Sequence, residues 1–139
     1  MTSDFNDELI LAARLLLALL FLIFGWRKLK DFSGTVDQMA ELGVPTPVLA
    51  AGVATFMELP VAFAVAVGAF TRLSAVLMFF YTLGTALIGH RYWTMKGTER
   101  VDSMDSFYKN ISIMAGFLLL CMTGAGKYSI DALWSVPAP

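Results

Sequence analysis

The stretch PVLAAGVATFMELPVAFAVAVGAFT, Pro47–Thr71, carries Glu58 as its sole ionisable group, with Pro60 two residues further on. A helix needs about 20 residues to cross about 30 Å of hydrocarbon, and within this stretch Val48–Phe70 is long enough. Three more apolar runs repeat the pattern, at Leu9–Trp26, Leu73–His90 and Phe107–Gly124. The first is interrupted by Arg14, and the fourth opens with Lys109 and Asn110. Four membrane-spanning helices, an all-α bundle in a single domain over residues 1–139, follow from these runs.

Composition agrees. The 139 residues are 58% hydrophobic and 15% charged, with a mean hydropathy of +0.69, whereas a soluble domain carries about 25% charge. The near-neutral net charge of -1 argues against nucleic acid as a partner. One cysteine, Cys121, excludes an intrachain disulfide and a CxxC redox pair, and one histidine, His90, excludes a bis-histidine haem site within one chain. No metal site is expected. The opening MTSDFNDEL is acidic where a signal peptide is basic, so the first apolar run is expected to stay in the protein as a membrane anchor.

Between the first two spans lies RKLKDFSGTVDQMAELGVPTP, in which Phe32, Val36, Met39 and Leu42 recur at helical spacing before the Gly-Val-Pro-Thr-Pro break. This spacing predicts a short amphipathic helix at the membrane surface. Spans two and three are joined by little more than Thr71-Arg72, a tight antiparallel hairpin. The segment RYWTMKGTERVDSMDS, from Arg91 to Ser106, reads as a polar, water-exposed loop.

Two charges fall inside the spans. Arg14 is twelve residues from Trp26 and Glu58 eleven from Pro47, so at 1.5 Å per residue each lies about 16–18 Å from the same face. Charges at such depth turn inward and pair, and the expectation is a buried Arg14–Glu58 ion pair. Pro60 removes the hydrogen bond to the carbonyl of Phe56 and strains the turn holding Glu58. Tyr81 and Thr85 can add hydroxyls from the third span. Nearer the basic face, His90, Asn110 and Lys28 are expected to form a hydrogen-bonding mouth suited to a quinone carbonyl or an anionic headgroup. Glu58 and His90 are the candidates for proton transfer, with no catalytic role fixed; an equally tenable reading makes the buried pair a device that sets helix register.

An arginine in the first span followed by FGWRKL (Phe24–Leu29), then LGVPTP (Leu42–Pro47), a glutamate in the second span, GAFTRLSA (Gly68–Ala75), a histidine ending the third span, FYKNISIMAG (Phe107–Gly116) and GAGKYSID (Gly124–Asp131) together resemble the DoxX family. The resemblance implies a small four-helix protein of the bacterial inner membrane, with relatives linked to membrane oxidoreductase assemblies. It assigns no catalytic residue. Three functions fit: a subunit of a quinone-linked oxidoreductase that binds a quinone or similar lipidic carrier for a partner enzyme, a non-catalytic anchor for soluble redox enzymes, and a small-solute or proton transporter. The expected surroundings are the lipid bilayer and an oxidoreductase partner, with a homo-oligomer left open.

Seven basic residues flank the two long connections, Arg27, Lys28, Lys30, Arg91, Lys96, Arg100 and Lys109, against Arg72 and Lys127 on the opposite side. Positive charge is retained on the cytoplasmic side, which places both termini in the periplasm. A reporter fused after Pro139 is expected to show periplasmic activity, and cytoplasmic activity from the same fusion would reverse the assignment.

Overall fold

The computed structural model describes residues 2–135; Met1 and residues 136–139, the ends of the expected domain, lie outside the described residues. The described chain is helical with no strand. Its elements are α1 (Thr2–Lys30), α2 (Phe32–Glu41), α3 (Pro47–Phe56), a π-turn (Met57–Val61), α4 (Ala62–Val67), α5 (Thr71–Gly89), a 3₁₀ turn (Tyr92–Thr94), α6 (Gly97–Thr123) and α7 (Ile130–Ser135). Four helical rods are long and apolar enough to span a membrane: α1, the combined α3–π–α4 rod, α5 and α6. The two loop-bearing, basic ends share one face of the bundle, called here the basic face, and both termini approach the other.

α1 outruns the apolar segment at both ends. Asp4 lies in its first turn and Arg27, Lys28 and Lys30 in its last, each charge opposing the helix dipole at its own end. α2 confirms the amphipathic segment: Asp31 caps it by accepting from the Gly34 amide at 3.1 Å, and Thr35, Val36, Met39 and Leu42 turn inward. Pro47 starts α3 at the first helical position, where its missing N–H is harmless. At Pro60 the same defect falls mid-span, and the helix widens into the π-turn over Met57–Val61.

Small and polar side chains make up much of the interior, while many of the large apolar ones face out. Along α1 the buried positions are Arg14, Ala18, Phe21 and Gly25, spaced by four, three and four, and Leu16 and Leu19 project outward. In lipid the apolar driving force between helices is absent, so small residues that admit close backbone approach line the contacts. The core joins Phe21, Val61, Ala62, Val65, Ala75, Met78, Phe117 and Leu120, with Cys121 packed at its edge. The polar segment Arg91–Ser106 is not the loop its composition suggests. α6 begins at Gly97 and carries helix beyond the expected span start at Phe107.

The α4–α5 hairpin turns on Gly68, at φ +72°. Its amide and that of Ala69 bond back to Val65 and Ala64 at 3.3 and 2.9 Å, the pattern that closes a helix through a left-handed residue. A Cβ on Gly68 would lie 2.0 Å from Nη1 of Arg14. Gly68→Ala is therefore expected to lower stability by more than about 1 kcal/mol, read by thermal unfolding in detergent. Gly84→Ala, with open space beside it, is the control expected to stay within about 1 kcal/mol of the parent.

Candidate functional site

Glu58 sits on the π-turn and is 4% exposed. Both of its oxygens are engaged: Nζ of Lys28 donates to Oε2 at 2.7 Å and the Tyr81 hydroxyl donates to Oε1 at 2.7 Å. The closeness of α1 permits this. A Cβ added to Gly25 would stand 2.8 Å from Cβ of Glu58, so glycine lets the backbone of α1 lie against the carboxylate's own turn. Lys28, one turn further along the same face, then reaches back with its ammonium. Tyr81 is held edge-on by Phe21, ring centroids 6.4 Å apart.

One turn beyond Tyr81, the Thr85 hydroxyl donates to the Thr82 carbonyl at 2.9 Å and accepts from Nδ2 of Asn110 at 3.2 Å. Lys28, Glu58, Tyr81, Thr85 and Asn110 thus form a polar strip toward the basic face, linking α1, α5 and α6. His90 stands apart from it. It caps α5 and lines a separate open cleft of about 410 Å³ with Met95, Glu99, Asp102, Ser103 and Ser106. The expected grouping of His90 with Asn110 is therefore not found.

The Arg14–Glu58 pair is not formed either. Arg14 is fully buried and donates through Nη1 to the carbonyl of Ala125 at 2.8 Å and through Nη2 to the carbonyl of Tyr128. Among the described residues no carboxylate lies within salt-bridge distance of it. The depth count failed because it took Trp26 and Pro47 as level. Glu58 abuts Gly25, eleven residues past Arg14, which separates the two charges by about 16 Å along α1. The second span therefore starts well beyond Trp26.

At the terminal end, Arg14 belongs to a lock that the sequence reading did not foresee. The segment after α6 folds back over the bundle. Asp131 accepts from the Phe70 and Thr71 amides at 2.7 and 2.8 Å, capping α5 from sixty residues away, and the Asp131 amide donates to the Gly68 carbonyl at 2.9 Å. Burial pushes the Asp131 carboxyl upward, but the two amides and the nearby Arg14 guanidinium outweigh it and hold it below the usual carboxylate range. Trp134 packs against Phe70 at a tilt, ring centroids 5.2 Å apart.

The DoxX family model matches residues 9–91, which hold Arg14, Lys28, Glu58, Tyr81, Thr85 and His90. The chain belongs to the DoxX family. It is 52% identical over 123 residues to the inner membrane protein YphA of Escherichia coli K12, covering 88% of each chain. It is 38% identical over 128 residues to the inner membrane protein YqjF of the same organism, covering 92% of this chain and 93% of that one. A shorter match, 32% over 66 residues, links 48% of the chain to 21% of the ER-derived vesicles protein ERV29 of Saccharomyces cerevisiae. No solved structure matches. In this DoxX protein Asn110 and the Arg14 clamp residues after Gly124 fall outside the matched range.

Arg14 and Glu58 should behave as independent sites. Arg14→Leu and Glu58→Leu are expected to add within about 0.5 kcal/mol, as distant positions do, whereas Lys28→Met and Glu58→Leu should couple by about 0.5–3 kcal/mol. The Lys28–Glu58 double replacement should recover much of what either single change loses, since it leaves no unpaired buried charge. Equilibrium unfolding of the single and double variants measures both cycles; strong Arg14–Glu58 coupling would contradict the placement described above.

Proposed function

We propose that this chain is a small subunit of a redox system in the bacterial inner membrane, binding a quinone or similar neutral lipidic carrier at Lys28, Glu58 and Tyr81. The observation that carries the reading is the buried carboxylate at the π-turn, with an ammonium on one oxygen and a phenol on the other. A cation and a phenol side by side are donors for a carbonyl oxygen, and a carboxylate is an acceptor for a hydroxyl. The same group of residues therefore offers partners to both the oxidised and the reduced form of such a carrier. Oxidation of a quinol releases protons and electrons in equal number. Glu58 would accept one proton from a bound quinol's hydroxyl and Lys28 would stabilise the oxygen anion left behind, while the second proton and the two electrons would pass to the partner enzyme.

Both Glu58 oxygens are partnered, so a ligand enters by exchanging with Tyr81 or Lys28 rather than by filling an open position. π-turns inside α-helices are frequent at functional sites, and this one carries the carboxylate whose partners would have to exchange. Names of the relatives YphA and YqjF as inner membrane proteins support the compartment; the placing of the basic face toward the cytoplasm rests on its lysines and arginines alone.

A second reading, a non-catalytic anchor for soluble enzymes, is favoured by the opening turns of α6, where Glu99 and Asp102 are exposed beside His90. Glu58→Gln separates the two, because it keeps size and hydrogen bonding and removes the titratable group. The variant is expected to insert and fold while losing at least about tenfold in affinity for a tailless benzoquinone, a loss of about 1.4 kcal/mol. Unchanged quinone affinity at normal expression would leave Glu58 as a structural partner of Lys28 and favour the anchor.

A further inference from the structure

We infer that the cleft between the end of α5 and the opening turns of α6 binds an aliphatic ammonium group, carried by a free amine or by the aminoethyl head of a phospholipid. The cleft encloses about 410 Å³ on the basic face, and its polar lining is His90, Thr98, Glu99, Asp102, Ser103 and Ser106. Glu99, Asp102, Ser103 and Ser106 stand at i, i+3, i+4 and i+7 of α6, the spacing that puts side chains on one face of a helix. His90 joins them from the end of α5.

Ser103 points to a ligand. The residue is 9% exposed, and its Oγ is buried with no hydrogen-bond partner among the described residues. A hydroxyl inside a helix can turn back onto the carbonyl four residues earlier, as Thr55, Thr82 and Ser112 do here at 2.9, 2.7 and 3.2 Å. Ser103 does not, and a buried hydroxyl without a partner is destabilising. The cleft that Ser103 lines is where a partner can reach it.

The charge of the lining selects that partner. Seven basic residues flank the long connections of this face, yet none of them lines the cleft. Arg91 donates to the Leu42 carbonyl at 2.7 Å, and Arg100 lies over the Tyr92 ring, 5.8 Å from its centroid. Glu99 and Asp102 have no salt bridge among the described residues. Two uncompensated carboxylates beside hydroxyls call for a cation rich in N–H donors, and an ammonium supplies three. A quaternary ammonium is held by aromatic faces instead, and no Phe, Tyr or Trp lines the cleft. Among the described residues no group of three His, Cys, Asp or Glu side chains is placed to hold a metal ion.

The position suits both sources of the ammonium. Ser106 adjoins the apolar run that opens at Phe107, and Glu99 lies about 10 Å further out along α6. The cleft thus reaches from the level of lipid heads into water. It is separate from Lys28, Glu58 and Tyr81, so the assignment goes beyond the carrier reading and does not depend on it.

Isothermal titration of the full chain in phosphatidylcholine nanodiscs, with putrescine and tetramethylammonium as probes, tests the site. Putrescine is expected to bind the parent at least about tenfold more tightly than tetramethylammonium does. Asp102→Asn and Ser103→Ala should each lower its affinity about tenfold, as loss of a hydrogen bond to a charged group does. Without amine, Ser103→Ala should unfold on heating no earlier than the parent, because it removes an unpartnered hydroxyl. Glu58→Gln should bind putrescine as the parent does, whatever becomes of its quinone affinity, so the two readings fail separately.

Adding phosphatidylethanolamine to the nanodiscs identifies the source. Weaker putrescine binding, with that lipid retained by the parent and not by Asp102→Asn in native mass spectrometry, assigns the lipid head; putrescine binding unmoved by the lipid assigns a free amine. Equal affinity for the two probes, displacement of putrescine by magnesium ion at equal concentration, or parent binding no tighter than that of Asp102→Asn would overturn the site. So would a Ser103→Ala variant that is less stable yet binds amine as the parent does, since its hydroxyl would then serve the fold alone. Glu99→Gln gives the same readings if Asp102→Asn fails to fold.

Discussion

A carboxylate inside an apolar span is stable when its charge is matched and its oxygens are hydrogen-bonded, and Glu58 meets both conditions through Lys28 and Tyr81. Much of the bundle's basic half follows from that requirement. Gly25 must lack a side chain so that α1 can lie against the turn of Glu58, α1 must run four residues past Trp26 to carry its last basic turn, and α5 must present Tyr81 to the opposite oxygen. α2 then follows directly on α1. Its buried Thr35 hydroxyl donates to the carbonyls of Asp31 at 2.9 Å and Lys28 at 3.4 Å, which ties the turn bearing the ammonium to the surface helix.

The terminal half is organised around a different solution to the same problem. Arg14 has no carboxylate within salt-bridge distance among the described residues and is held instead by the carbonyl ends of the chain reversal after α6. A guanidinium suits this role because its planar fork can serve two carbonyls at once. The segment is held in turn by Asp131 across the α5 amides, by its own amide on Gly68 and by Lys127 near Asp4 at 3.4 Å. Gly68 serves three of these features: it closes α4, turns the chain into α5 and leaves the space that Arg14 fills.

The spans were legible because hydropathy and length determine them almost by themselves, and α2 because its apolar positions recur at helical spacing. Glu58, Tyr81, Thr85, Lys28 and Asn110 were legible as polar groups in or beside those spans. The partners were not, since depth counted from two apolar boundaries assumes that both boundaries lie in one plane. A better signal was present in α1 itself. Continuing the inward stripe of Arg14, Ala18, Phe21 and Gly25 by three residues reaches Lys28, and a half-buried lysine facing the second span is a nearer match for Glu58 than Arg14 is. The α6 extension was hidden by its polarity, which marks exposure and says nothing against helix. The Asp131 cap depends on contacts sixty residues apart and leaves no local trace.

The two polar centres differ in what they allow. Arg14 is fully buried and bound to two backbone carbonyls of the terminal segment, positions fixed by the chain's own path. Lys28 and Tyr81 are side chains with rotatable bonds, and neither needs the backbone to move in order to let go of Glu58. The π-turn adds to this freedom, because its widened hydrogen-bond pattern is already displaced from the regular helix around it. The bundle is thus tied to backbone carbonyls at its terminal end, while at its basic end the polar contacts are made between side chains, around the only carboxylate inside the second span.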